Sequence, residues 1–354
     1  MHLAVDLGKF VSGVKREISF EDLAGKTIAV DAYNTIYQFL SIIRQPDGTP
    51  LMDTEGRVTS HLSGLFYRTT NLIEYRITPV FVFDGIPPVL KQKTLEARAS
   101  RRVAATKEWE DAKSKGMLEE ARIHAVASTK INKEIVASAK QLLDLMGVAY
   151  IQAPSEGEAQ AARMVRDGIV YASASQDYDS FLFGADVVIR NFTLTGKRRI
   201  PRRNVTIDVK LERILLKDLL ESLGIDRRQL IWLGMLMGTD FDSGIDGVGP
   251  KTALKIARAS KTLGEVVGYV KEKYNAEFDT DPLEVERLFE DPEADGIGIQ
   301  EFNRLIKGKR PDRGGIIEFM CNEHGFSRER IEKYADRLAA ADSGKGQKGI
   351  GGWL

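Results

Sequence analysis

The sequence predicts an α/β fold built on buried parallel strands, and three observations point to it. First, three short apolar runs each end in acid. Residues 26–30 precede Asp31, residues 78–83 precede Asp84, and residues 169–174 lead into Gln176, Asp177, Tyr178 and Asp179. Second, helical patterns lie between these runs. Third, the runs are continuously apolar rather than alternating, as strands covered on both faces are. Sheets of this kind place their sites at the carboxyl ends of the strands, so all three acidic ends fall on one edge.

Composition narrows the class further. Apolar residues make up 43% and charged residues 29% of the 354, which is globular. The length suits two or three domains, or one large domain with insertions. Lys plus Arg and Asp plus Glu are both 51. A balanced charge is compatible with a nucleic-acid partner, provided that acids clustered elsewhere offset any basic surface. One cysteine, Cys321, excludes a disulfide framework and a cysteine-rich metal site. The four histidines, His2, His61, His124 and His324, show no zinc spacing. No apolar run approaches the ~20 residues of a membrane span and no leader opens the chain, so an intracellular, soluble protein is expected.

Along the chain, Ile36, Phe39, Leu40 and Ile43 mark an amphipathic helix, with Tyr37 and Arg44 off its apolar stripe. Residues 88–135 are charged, rich in Ala and poor in large apolar side chains, the pattern of solvated helices outside the core. A core helix and strand resume over 135–150. Residues 261–310 give no clear pattern, and acids gather at 277–295. The tail from Ala339 is small and Gly-rich. There is no internal repeat.

Each acid has an ordinary reading by itself. Ser155 and Glu158 have the spacing of a capping box, Asp177-Tyr178-Asp179 of a polar turn, and Asp31, Asp84 and Asp240 of helix caps. Together the ordinary readings weaken. Asp31, Asp84, Glu156, Glu158, Asp177 and Asp179, joined by Asp240, would repel one another unless cations sit among them. An all-oxygen donor set suits Mg²⁺ or Mn²⁺. Mg²⁺ takes few carboxylates per ion, so seven acids suggest two ions. A pair ~3.5–4 Å apart activates a water and steadies a leaving phosphodiester oxygen. Such sites serve several phosphoryl substrates.

Basic residues select among those substrates. Lys91, Arg98 and Arg102 are spaced to share one helical face shortly after Asp84, where cations could steady charge on a scissile phosphate. A solvated face is the alternative there. Lys197, Arg198 and Arg199 belong to a run of five cations without an acid, as phosphate contacts do. In Gly244-Ile245-Asp246-Gly247-Val248-Gly249-Pro250-Lys251, Gly247 and Gly249 let the backbone approach a phosphate, and Pro250 suits a first helical turn. This resembles a helix–hairpin–helix DNA motif, which reads backbone rather than sequence.

These residues together carry a family resemblance. Ile28-Ala29-Val30-Asp31, Val82-Phe83-Asp84-Gly85, Pro154-Ser155-Glu156-Gly157-Glu158-Ala159, Ser175-Gln176-Asp177-Tyr178-Asp179 and Gly238-Thr239-Asp240 match, in order, the acidic motifs of XPG-type structure-specific 5′ nucleases. The chain is most similar to the archaeal flap endonucleases, over nearly its whole length. The resemblance implies a PIN-like nuclease fold: a central, mostly parallel sheet between helical layers. It implies an N-terminal nuclease region at 1–102, a helical arch at 88–135 and an internal nuclease region at 120–261. The helix–hairpin–helix would lie at 240–256 and a C-terminal helical region at 262–338, before the tail at 339–354.

By motif, Asp31, Asp84, Glu156 and Glu158 would serve mainly one Mg²⁺, and Asp177, Asp179 and Asp240 mainly the second, with Mn²⁺ able to substitute. Lys91 and Arg98 would clamp the scissile phosphate. Tyr37 would stack on a base, a contact worth ~1–3 kcal/mol. Arg44 and Thr59 would hold a one-nucleotide 3′ flap, and the Gly-rich turn would grip duplex with a K⁺. Relatives begin Met-Gly, whereas here His2 follows Met1.

The implied activity is cleavage of 5′ flaps in Okazaki-fragment maturation and long-patch base excision repair, with a weaker 5′→3′ exonuclease. The tail supplies a partner: Gln347, Ile350, Trp353 and Leu354 fit the pattern of sliding-clamp (PCNA) ligands, Leu354 replacing the usual second aromatic. A monomer without membrane contact, in the cytoplasm or at the nucleoid, is expected. Two other readings stay open: a sister nuclease of bubbles or Holliday junctions, and a non-catalytic clamp-associated DNA-binding protein.

Overall fold

The structure is a computed structural model that describes residues 5–193, 196–200 and 205–342. The strands are β1 (Arg16–Ile18), β2 (Thr27–Asp31), β3 (Thr78–Phe83), β4 (Tyr150–Gln152), β5 (Ala172–Ala174), β6 (Val187–Arg190), β7 (Gly196–Ile200), β8 (Val205–Val209) and β9 (Leu211–Leu215). Seven form one sheet in the order β1-β9-β6-β5-β2-β3-β4, and β7 and β8 form a separate ribbon. The five strands from β6 to β4 are parallel, and β9 and β1 add an antiparallel edge. This is the mostly parallel α/β sheet that the apolar runs predict.

The strand order explains where the site lies. From β2 the chain moves outward through β3 and β4, then returns to place β5 on the other side of β2. The crevice outside the carboxyl ends of β2 and β5 is therefore a topological switch point, where open α/β sheets bind ligands. Asp31 ends β2, Asp84 follows β3, and Asp177 and Asp179 follow β5.

The two sheet faces bury alternate residues, as the two-residue period of a strand requires. Ile28, Val30, Phe81 and Phe83 pack with Phe39, Leu62, Phe66 and Leu142 from helices Ala32–Ile42, Ser60–Glu74 and Lys133–Leu145. Ala29, Val80 and Val82 pack with Ala161, Met164 and Val165 of helix Gly157–Arg166 on the opposite face. Burial on both faces is why these strands are apolar throughout.

Residues 88–135 form a short turn (Val89–Lys91) and two helices, Gln92–Ser114 and Leu118–Ala127, that pack on each other as a hairpin. Ala105, Ala112, Ala121 and Ala125 are its only buried residues. Polar contacts tie it down. Trp109 Nε1 donates to the Asp47 carbonyl at 3.2 Å, Lys113 pairs with Asp47 at 2.9 Å, and the Tyr37 hydroxyl donates to the Val126 carbonyl at 3.3 Å.

Residues 261–310 hold helices Leu263–Tyr274, Pro282–Glu290 and Ile299–Lys307. Thr262 and Asp281 cap the first two, and Pro282 occupies the first helical turn of the second. Val266, Val270, Val285 and Phe289 join the core around helix Arg227–Met237. Buried Glu286 accepts from Trp232 Nε1 at 2.6 Å and pairs with Arg228 at 3.2 Å.

Candidate active site

Asp31 closes β2 and caps helix Ala32–Ile42, its Oδ1 accepting from the Asn34 amide at 2.9 Å. The Asn34 side chain donates onward to Asp177 Oδ2 at 2.9 Å, so one residue orients two carboxylates from different strands. Asp84 caps across the chain. Its Oδ1 accepts from the Gly157 amide, the first of helix Gly157–Arg166, at 2.8 Å. A Cβ on Gly157 would stand 2.6 Å from that oxygen, so glycine is required at this close approach. The helix N-terminus and the carboxylate favour each other electrostatically.

The capping box that the spacing of Ser155 and Glu158 would allow, the ordinary reading of that segment taken alone, does not form. Glu156 is the N-cap residue, with no side-chain cap bond. The Glu158 carboxylate instead accepts from Ser175 Oγ at 2.6 Å and Ser180 Oγ at 3.0 Å, both beyond β5. Asp179 Oδ1 accepts from the Val5 amide at 3.1 Å. Asp240 caps nothing: it pairs with Lys91 at 3.1 Å and with Arg98 at 2.5 Å. Lys91 also bonds Glu156.

The protein has thus gathered its carboxylates into one buried, self-repelling cluster. Burial raises Asp31 well above the usual carboxylate range, and Asp84 and Asp177 add to the push. Burial likewise raises Glu158 well above its range, helped by Asp177, Asp179 and Asp31, and raises Asp179, helped by Asp240 and Asp177. Asp84 and Glu156 are raised by burial too, against the opposing pull of Lys91. Burial alone would lower the Lys91 ammonium, but Glu156, Asp240 and Asp84 hold it well above its ordinary value. Buried carboxylates that also repel one another are stabilised by a nearby positive charge, and their oxygen-only donor set fits a hard divalent cation. Among the described residues no three acids close into a ready-made cage. Water-rich Mg²⁺ sites, which draw on few carboxylates, need none.

The other expected residues are distributed as follows. Arg102 is partly buried on the hairpin helix one turn beyond Arg98, and Tyr37 is 41% exposed. The Arg44 guanidinium turns inward, donating to the carbonyls of Leu40 and Gly48 and to Thr129 Oγ1, each at 2.6 Å. Thr59 is buried at the start of helix Ser60–Glu74. In this conformation Arg44 ties the loop after helix Ala32–Ile42 to Thr129 beyond the hairpin, and the Thr59 amide ties that loop to helix Ser60–Glu74 through the Leu51 carbonyl. Lys197, Arg198 and Arg199 lie on β7, paired with β8, and their side chains are outside the described residues. His2 and the tail residues Gln347, Ile350, Trp353 and Leu354 are also outside them.

At the Gly-rich turn, Gly249 is the N-cap of helix Pro250–Ala259 and Pro250 occupies its first turn. Gly247 has φ +81°, which glycine tolerates best, and a Cβ at either Gly247 or Gly249 would meet nothing within 4 Å. The backbone is thus open to solvent at a helix N-terminus, with Lys251 exposed beside it. Asp242 braces this turn against the region that gave no sequence pattern, accepting from the amides of Gly244 and Thr280, each at 2.9 Å.

Sequence reasoning missed Asn34, Ser175, Ser180, Asp242 and the Val5 amide. Only Ser175 and Ser180 left a signal, by flanking the Asp177 motif. The rest act through contacts between segments remote in the chain.

Comparison with known proteins agrees with this geometry. Residues 5–105 match the XPG N-terminal domain and residues 147–240 the XPG I-region. These stretches contain Asp31 and Asp84, and the other five acids, respectively. Flap endonuclease 1 of Pyrococcus abyssi is 47% identical over 99% of this chain and 98% of its own length; that of Pyrococcus horikoshii is 48% identical with the same coverage. The solved flap endonuclease-1 from Methanococcus jannaschii superposes with a TM-score of 0.73 at 37% identity, covering 96% of this chain and 99% of that one. The catalytic core of Rad2 in complex with DNA substrate superposes with a TM-score of 0.67 at 25% identity, covering 95% and 99%. The chain belongs to the flap endonuclease 1 family of XPG-type nucleases.

Proposed function

We propose that this flap endonuclease cuts 5′-flapped DNA near the flap base by hydrolysis that depends on two Mg²⁺ ions, Mn²⁺ substituting. The observation that supports this reading best is the carboxylate cluster itself, in which burial first and neighbouring acids second raise Asp31, Glu158 and Asp179, beside Lys91 and Arg98. Asp31, Asp84, Glu156 and Glu158 would hold mainly one ion, and Asp177, Asp179 and Asp240 mainly the other. When bound, the ions supply Lewis acidity toward the phosphodiester and an activated water.

The chain's own residues do the rest. Lys91 and Arg98, each already paired with a cluster carboxylate, exchange those partners for the scissile phosphate and steady charge on the leaving 3′ oxygen. The product carries a 5′ phosphate. Tyr37 stacks on a base near the cut, while Arg102 and the β7 cations track the backbone. Arg44 and Thr59 are proposed to contact a 3′ flap once the loop opens. Gly247, Gly249 and Lys251 grip a duplex phosphate with a K⁺ nearby.

The proposed setting is Okazaki-fragment maturation and long-patch base excision repair, in a monomeric cytoplasmic protein docked to a sliding clamp through Gln347, Ile350, Trp353 and Leu354. Among the described residues no helix is long and apolar enough to cross a membrane. The test compares wild-type and Asp179→Ala protein on single-flap, double-flap and bubble DNA, with Mg²⁺ binding followed by calorimetry. Cutting and part of the Mg²⁺ heat should both be lost in the variant. Cutting that persists unchanged overturns the assignment.

A further inference from the structure

The most exposed large apolar side chains among the described residues lie beside the catalytic cleft. Ile86 is 81% exposed and Val89 is 84%, ahead of Val103 at 61% and of every other large apolar residue. Isolated apolar residues on a surface are ordinary. These two differ in where they stand and how firmly they are held. Ile86 is two residues from Asp84 and Val89 two residues from Lys91, and two residues span at most ~7 Å of chain. Both side chains therefore belong to the six-residue connection between the buried Asp84 and Lys91, the cation paired with Glu156 and Asp240.

That connection is fixed rather than pliant. The Gly85 amide donates to the Ser155 carbonyl at 2.6 Å, and the Ile86 amide to the Pro154 carbonyl at 3.0 Å. A Cβ at Gly85 would stand 2.2 Å from the Ala153 carbonyl oxygen, so the backbone is pressed against the chain leading to Glu156. Pro87 and Pro88 restrict the backbone between the two apolar residues. The Lys91 amide closes the turn on the Pro88 carbonyl at 2.9 Å. Little entropy remains to be lost if something packs on Ile86 and Val89.

The geometry points to Ile86 and Val89 as positioning residues that pack against the base or sugar next to the scissile phosphate. The inference rests on the nuclease reading of the cleft. A phosphate that reaches Lys91 and Asp84 brings its own nucleotide to within the span of this turn. Base faces and deoxyribose carbons are the apolar surfaces that a DNA substrate offers at that distance. The pair stands within two residues of Asp84 and Lys91, which favours substrate over a protein partner or a second copy of the chain.

The test is a cycle between protein and DNA. Both side chains are exposed, so Ile86→Ser/Val89→Ser should fold normally. Single-turnover cutting of a flap in Mg²⁺ should fall about tenfold, the size expected from losing partial burial of two branched side chains. Flap affinity in Ca²⁺ should change less than twofold, because phosphate contacts dominate it. An abasic nucleotide is then placed on either side of the scissile phosphate in turn. At one of the two positions it should slow the wild type and leave the double variant unaffected. A double variant that cuts at the wild-type rate, or that is slowed as much as the wild type at both positions, overturns the contact. Failure of the underlying nuclease reading would look different: neither protein would require Mg²⁺.

Discussion

In the acidic cleft, side chains and amides from distant segments hold the carboxylates in place, whereas the hairpin of Gln92–Ser114 and Leu118–Ala127 buries four alanines and hangs on a few polar ties. The cleft accepts electrostatic strain to keep its oxygens aligned. The hairpin gives up packing energy, since alanine seams bury little apolar area. Rigid placement suits groups that must meet a phosphate in one geometry. A lightly attached element suits a part that must admit and sort a strand, because such motions come from the less stable parts of a fold.

The comparison can be broken most directly in the cleft. Asp179→Ala should reduce single-turnover flap cutting below detection while flap binding in Ca²⁺ persists. Retained cutting would mean that the cluster is structural. Lys91→Ala and Arg98→Ala come next. Each should lower the single-turnover rate by ~10²–10³, the loss seen when a preorganised electrostatic donor is removed. Equal losses in affinity and rate would reduce both residues to general attraction for DNA.

On the hairpin the expected effects are smaller. Trp109→Phe removes the bond to the Asp47 carbonyl. A hydrogen bond of ~1 kcal/mol corresponds to about a fivefold change. That change should appear as a slower rate on flaps whose strand must pass the hairpin and be absent on nicked duplex without a flap. Equal slowing on both substrates would place the hairpin in the chemistry itself.

The smallest effect on cutting is expected where helix Ser60–Glu74 meets helix Lys133–Leu145. His61 bonds Ser138 Oγ at 2.8 Å, and burial lowers its pKa to about 3. The folded state thus resists a proton that the unfolded chain takes near 6.5. This contribution to stability is complete above that value and is lost as pH falls toward about 3. Melting scans of His61→Gln should show a shallower acid limb than wild type between these pH values, with cutting at neutral pH unchanged. Identical limbs would show that His61 stays neutral by some other route.

How much of this was legible in the sequence follows the same division. The strand ends carrying Asp31, Asp84 and Asp177 were readable because burial on both faces forces unbroken apolar runs. The Gly-rich turn was readable because φ +81° at Gly247 favours one residue type. Taken alone, Glu158 reads as half of a capping box because Ser-x-x-Glu fits that motif locally. Its real partners, Ser175 and Ser180, come from beyond β5, and no local pattern encodes a partner so far along the chain. Arg44 is expected at a 3′ flap only from the family resemblance, and its inward contacts with Gly48 and Thr129 have no local pattern that would announce them. Residues 261–310 gave no pattern because their helices are short and each lends only one to three apolar side chains to a core built by others.

The position of β2 has a consequence for how the enzyme comes into being. Val30 pairs with Phe81 on one side and Ala174 on the other, and Asp240 reaches Lys91 from later still in the chain. Pairings between such distant segments form late in folding, after loop closure has been overcome. A chain growing from the ribosome therefore presents Asp31 and Asp84 long before it can present the remaining acids. On the proposed assignment of the acids, a chain still in synthesis, or one truncated before Asp240, lacks a complete site. The sheet order thereby makes the closing of this cleft a late event in folding.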